Sequence, residues 1–81
     1  MRLGNMSLSD LQVGKHAVVH HFLGGKEFQN RLLVMGFTIG AEVVVVQNYG
    51  RGPIIVAVKD ARVALGRGES QRVIVEELSS D

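Results

Sequence analysis

There is no cysteine and no tryptophan among the 81 residues, one proline (Pro53), and only four aromatic residues, three Phe and one Tyr. Without cysteine, disulfide staples and thiolate metal sites are excluded, so the fold must stand on packing. A chain of this size hides about 60–65% of the surface its unfolded form exposes, which gives one core and little room for a deep cleft. An excess of one charge is missing too. Nine Lys and Arg face eight Asp and Glu, a formal net of +1, and no overall field draws the protein to nucleic acid or to an acidic bilayer. No run approaches the roughly 18 apolar residues of a membrane helix, and the opening MRLGNMSLSD lacks the apolar centre of a secretory signal. The expected setting is the cytoplasm, without membrane insertion.

Catalytic constellations are also lacking. Gly-Lys occurs in GKHAV at 14–18 and GGKEF at 24–28, but neither has the four-residue spacer and following Ser or Thr of a phosphate-binding loop. No serine lies in a nucleophile elbow, and Glu76 and Glu77, as strand neighbours, fall on opposite faces. No enzyme, no catalytic residue and no cofactor is expected. The histidines His16, His20 and His21 would be tempting ligands on a helix. On a strand, positions 16 and 20 share a face about 13 Å apart and His21 points away, so strict alternation predicts no metal site here.

Strand pattern is what the sequence does have. GKHAVVHHFLGG sets Ala17, Val18, Val19, Phe22 and Leu23 between glycines, with β-branched residues in the middle. In KEFQNRLLVMG the apolar residues Phe28, Leu32 and Met35 fall at i, i+4 and i+7, which predicts one short amphipathic helix ending at Met35. Gly36 suits the left-handed residue after that helix, with Phe37 folding back on Leu32. Gly40 suits the third position of a type II turn at 38–41, where φ must be positive. The chain then enters EVVVVQN, whose four valines leave neither face polar and predict a strand covered on both sides. YGRGP marks a hairpin to IIVAVK, Asp60 begins a second turn before ARVAL, GRGES breaks the chain again, and QRVIVEEL is a last strand. About five short strands and one helix imply a mainly β fold, closed or nearly closed as a small barrel to remove exposed edges. Residues 1–6 are expected to be a flexible N-terminus and 79–81 a frayed tail, flanking one domain at 7–78.

Small barrels often bind nucleic acid by interleaving basic and aromatic side chains. Tyr49 and Arg51 in NYGRG are the one such pair, and with near-neutral charge they fit a solvated hairpin tip better than a stacking platform.

The frame SLSDLQVGKHAVV, RLLVMGFTIGAEVVVV, GPIIVAVKDARVAL and RVIVEEL, over residues 7–78, resembles FeoA, the small cytosolic protein of bacterial ferrous iron uptake. Leu32, Gly36, Gly40, the valine strand, Pro53-Ile54 and VAL at 63–65 carry the resemblance together. It implies an SH3-like β-barrel and association with the cytosolic region of the membrane transporter FeoB, as a non-enzymatic accessory protein. Two features depart from the family pattern: Ile39 stands where proline is usual, and GRGES replaces a basic, helix-competent stretch. Similarity extends to the C-terminal domain of DtxR-type metal-dependent repressors, but no helix-turn-helix stands ahead of it, so a complete repressor is not expected. The alternatives are a generic SH3-like protein- or peptide-binding module and, behind it, a nucleic-acid-binding barrel. Accessible candidates for partner contact are Gln29, Arg31, Tyr49, Arg51, Arg67 and Arg72. Gly36 and Gly40 serve as cap and turn, and Leu32, Met35, Phe37, Val44 and Val46 are expected to hold the surface in place.

Overall fold

Antiparallel strands are the main regular element of the computed structural model, which describes residues 2–79. In chain order the elements are β1 (Arg2–Ser7), a 3-10 turn (Leu8–Asp10), β2 (His16–Phe22), α1 (Lys26–Val34), β3 (Glu42–Gln47), β4 (Ile54–Val58), β5 (Ala61–Leu65), α2 (Arg67–Gln71) and β6 (Val73–Leu78). The sheet order is β1-β6-β2-β3-β4-β5, with every neighbouring pair antiparallel.

Alternation chooses the inner face. Ala17 and Val19, Val43 and Val45, Ile54, Val56 and Val58, Leu65, and Val73 and Val75 are all buried in one cluster, joined by Leu8, Leu11, Phe28, Leu32 and Phe37. Strands at both ends of the sheet feed the same core, so the sheet curls around it, as a small SH3-like barrel requires.

Six strands form among the described residues, where about five were expected. The additional one is β1, in the segment expected to be flexible; it pairs with β6 across an irregularity between Arg2 and Asn5, where Gly4 has φ +99°. Glycine and asparagine are poor strand formers, and β6 supplies the ladder that orders them. A second correction concerns GRGES, which forms α2 instead of a break. Glu69 Oε1 accepts the Gly66 N–H at 3.2 Å and the Ser70 N–H donates to the Gly66 carbonyl at 2.9 Å, so this short helix is held at its start.

The valine strand is covered fully on one face only. Val43 and Val45 are buried while Val44 and Val46 are half-buried. Helix α1 sends Phe28 and Leu32 into the same cluster as Val43 and Val45, so it does not cover the opposite face of β3. Of the residues expected to support the surface, Leu32 and Phe37 are core, Met35 packs against it, and Val44 and Val46 lie on the outer face.

The pairing order leaves β1 and β5 as the two sheet edges, and side chains tie their ends together. Arg67, at the start of α2 after β5, donates from Nε to the Gly52 carbonyl at 3.0 Å and from one terminal nitrogen to the Ser9 carbonyl at 3.2 Å. Its other terminal nitrogen donates to Asn48 Oδ1 at 3.0 Å. Ser7, at the end of β1, donates its hydroxyl to the Gln71 carbonyl at 2.8 Å.

Candidate docking surface

Helix α1 and the turns at its two ends dominate the surface on which most of the candidate residues lie. At its start, the Gln29 side chain donates to the Gly24 carbonyl at 3.0 Å. A Cβ on Gly24 would stand 2.7 Å from Phe28 Cδ2, so the bare glycine lets the Phe28 ring close over the loop. That ring is flanked by two guanidinium groups, Arg31 at 5.7 Å and Arg72 at 5.3 Å from its centroid, within the range of cation–π attraction. Arg31 also pairs with Glu69 of α2 at 2.7 Å.

The other end of α1 is closed by a Schellman motif. Gly36 N–H donates to the Leu33 carbonyl at 3.0 Å and Phe37 N–H to the Leu32 carbonyl at 3.0 Å, with Gly36 at φ +101°. The turn at 38–41 follows with Gly40 at φ +90° and Ala41 N–H donating to the Thr38 carbonyl at 3.0 Å. Gly40 N–H and the Ala41 carbonyl then bond the backbone of Val19, which docks the turn on β2. Both glycines take positive φ in these turns, and Ile39 occupies the second turn in the absence of proline.

Apolar side chains are left outside at this end. Val34 is 88% exposed, Ile39 59% and Leu33 44%. Sequence reasoning missed them, although the signal was available: Leu33 and Val34 are apolar but lie off the 28, 32, 35 stripe that enters the core.

Five of the six predicted contact residues fall into two groups, and Arg67 lies between them. Arg31 and Arg72 flank Phe28 and Gln29 bonds the Gly24 carbonyl at the start of the same helix, whereas Tyr49, which is 77% exposed, and Arg51 sit on the β3–β4 loop. Helix α2 joins the groups, because Glu69 reaches Arg31 and Arg67 reaches Gly52 beneath that loop. The guanidinium of Arg67 is spent inside the chain.

The histidines depart from strict alternation. His16 pairs with Glu42 at 2.7 Å. Between Val19 and His21 the register against β6 shifts: Val19 faces Val75 and His21 faces Ile74, so two residues of β2 advance against one of β6. A bulge of this kind reverses the parity of the strand. Val19 points inward, Phe22 packs inward again, and His20 and His21 both lie exposed, with their Nδ1 atoms 2.7 Å apart. The expectation that His21 points away from His20 is thereby corrected. Among the described residues, no group of three or more His, Cys, Asp or Glu could hold a metal ion, and no helix is long and apolar enough to cross a membrane.

Comparison with known proteins places this arrangement. The FeoA domain model matches residues 6–77. A fusion protein of Fe(2+) transport protein A and the Fe(2+) transporter FeoB from Porphyromonas gingivalis is 36% identical over 77 residues, which is 94% of this chain and 9% of that protein. A crystal structure of the iron uptake regulatory protein FeoA superposes with a TM-score of 0.88 at 36% identity, covering 93% of this chain and all of that one. FeoA of Stenotrophomonas maltophilia, a prokaryotic SH3 domain protein crystallised with zinc, superposes with a TM-score of 0.71 at 35% identity, over 86% of this chain and 88% of that one. With a family model matched over most of its length and an SH3-like fold shared with FeoA structures, the chain belongs to the FeoA domain family.

Proposed function

We propose that this chain is a non-enzymatic accessory protein of ferrous iron uptake, working in the cytoplasm by binding the cytosolic part of a FeoB-type transporter. The observation that carries the proposal is the Porphyromonas gingivalis relative, in which a domain 36% identical to this chain shares one polypeptide with the transporter. Fusion holds two domains at high effective concentration, an arrangement suited to domains that engage each other. The surface is of a kind a protein partner covers. Val34, Ile39 and Leu33 supply apolar area at the C-terminal end of α1, and Gln29, Arg31 and Arg72 supply polar groups on and beside the same helix, as core and rim do in protein interfaces. Tyr49 and Arg51 on the β3–β4 loop extend the candidate contact. Arg67 supports this surface through Gly52 and Asn48.

The test is an amide NMR titration of the labelled chain with the purified cytosolic domain of the transporter from the same source, at moderate salt. Saturable shifts confined to residues 26–41 and the loop at 48–53 are expected. A spectrum unchanged by an excess of well-folded transporter domain refutes docking to that domain. Binding that instead falls steeply with added salt on a nucleic-acid ligand would support the barrel's other common use.

A further inference from the structure

We infer that His20 and His21 form a two-histidine chelating site for a first-row divalent transition ion that takes ligands at right angles, of the Ni2+ or Cu2+ type. The inference stands apart from transporter docking, since it concerns this chain and the ion alone.

Adjacent strand residues ordinarily point to opposite faces, and two such histidines could not share an ion. The β2 bulge removes that obstacle by turning both side chains outward, and it brings Nδ1 of His20 to 2.7 Å from Nδ1 of His21, with the rings inclined at 72° and their centroids 5.0 Å apart. Two imidazole nitrogens bound at about 2.0–2.1 Å to one ion sit about 2.8–3.0 Å apart at a right angle and about 3.3 Å apart at a tetrahedral angle. The observed separation is within a few tenths of an ångström of the right-angled bite, and both rings are exposed, so they can turn until their lone pairs converge on one ion. Square and octahedral arrangements of nitrogen and oxygen ligands suit Cu2+ and Ni2+, and imidazole is a preferred donor for both.

The pair as it stands holds a proton where the ion would go. At 2.7 Å one Nδ1 must donate to the other, so one ring is the Nδ1–H tautomer and its neighbour carries its proton on Nε2. When an ion binds both Nδ1 atoms, the donating ring moves its proton to Nε2, and neither ring changes charge. Both residues are exposed, so the remaining coordination positions are open to water. His16 is not part of the site: it faces Val44 across the β2–β3 ladder and pairs with Glu42.

Calorimetric titration of the tag-free chain with NiCl2, in a buffer that does not bind metals, tests the assignment, with histidine ring protons followed in parallel by NMR. One Ni2+ per chain is expected, with paramagnetic broadening that reaches the His20 and His21 rings together before His16. His20→Ala and His21→Ala should each weaken binding by about tenfold or more, because each leaves a single tethered ligand, while His16→Ala should bind as the parent does. Each replaced side chain is exposed, so the variants keep the fold, which the amide spectrum verifies. Equal affinity in the His20→Ala or His21→Ala variant, or broadening that begins at His16, overturns the site.

Discussion

The guanidinium of Arg67 donates to the side-chain oxygen of Asn48 at 3.0 Å, and Asn48 has every hydrogen-bonding position filled. Its Nδ2 donates to the carbonyls of Ser9 and Leu11 at 3.0 and 3.2 Å, and its Oδ1 also accepts the Gly50 N–H at 3.0 Å. An asparagine offers two donors and an oxygen with two lone pairs, so none is left over. Together the two residues connect the segment after β1, the β3–β4 loop and α2, and so bridge the ends of an open sheet.

Breaking that bridge should cost stability before it touches recognition. Arg67→Ala and Asn48→Ala should each lower the unfolding free energy by about 1–3 kcal/mol, the range for losing hydrogen bonds to charged or partly buried groups. The double variant should cost less than the sum, since the two share partners. Arg67→Lys should restore little, because an ammonium cannot donate along three fixed directions. Urea unfolding measured with a constant slope decides this; an Arg67→Ala variant as stable as the parent would remove the latch.

Gly36 should be the least replaceable residue of the helix ending. A Cβ there would lie 3.8 Å from both methyl groups of Val58, an ordinary contact, so room is not the obstacle. The φ of +101° is the obstacle. Gly36→Ala should cost about 1–2 kcal/mol, and Gly36→Val more because branching at Cβ tolerates positive φ least. For a domain of this size each kcal/mol lowers the melting temperature by about 4–8 °C. Unchanged melting in Gly36→Val would show that the helix ends by another route.

How much of this was legible in the sequence differs by element. Local rules sufficed for α1, its Schellman ending and the turn at Gly40, because each rests on residues within one turn of chain. Nonlocal pairing was not legible: β1 contains Gly4 and Asn5, and only β6 makes it a strand. The bulge in β2 escaped for the same reason, since alternation assumes one residue per step and the count changes only against β6. In GRGES the glycines hid a helix whose sequence signal was Glu69 three residues after Gly66. At the candidate surface the polar pattern points to Gln29 and Arg31 on α1 and to Arg67 in GRGES, but Arg67 is bound internally; Leu33 and Val34 were not legible as surface because apolar residues next to a core stripe look like core.

The exposed apolar residues Leu33, Val34 and Ile39 yield the sharpest separation between folding and recognition, on the proposed docking to the transporter. Val34 is 88% exposed and is the last residue of α1, so its side chain contributes little to the core. Lysine has the higher helix propensity, and a cation near a helix C-terminus is favourable, so Val34→Lys should melt at or slightly above the parent temperature. At the centre of an interface the same charge loses its water without gaining a partner, a change that costs at least about 1.4 kcal/mol, or tenfold in Kd. Ile39→Lys should act in the same direction. If Val34→Lys bound the transporter domain with parental affinity, the partner would have to sit on the Tyr49 and Arg51 loop, and the apolar end of α1 would be ruled out as the contact.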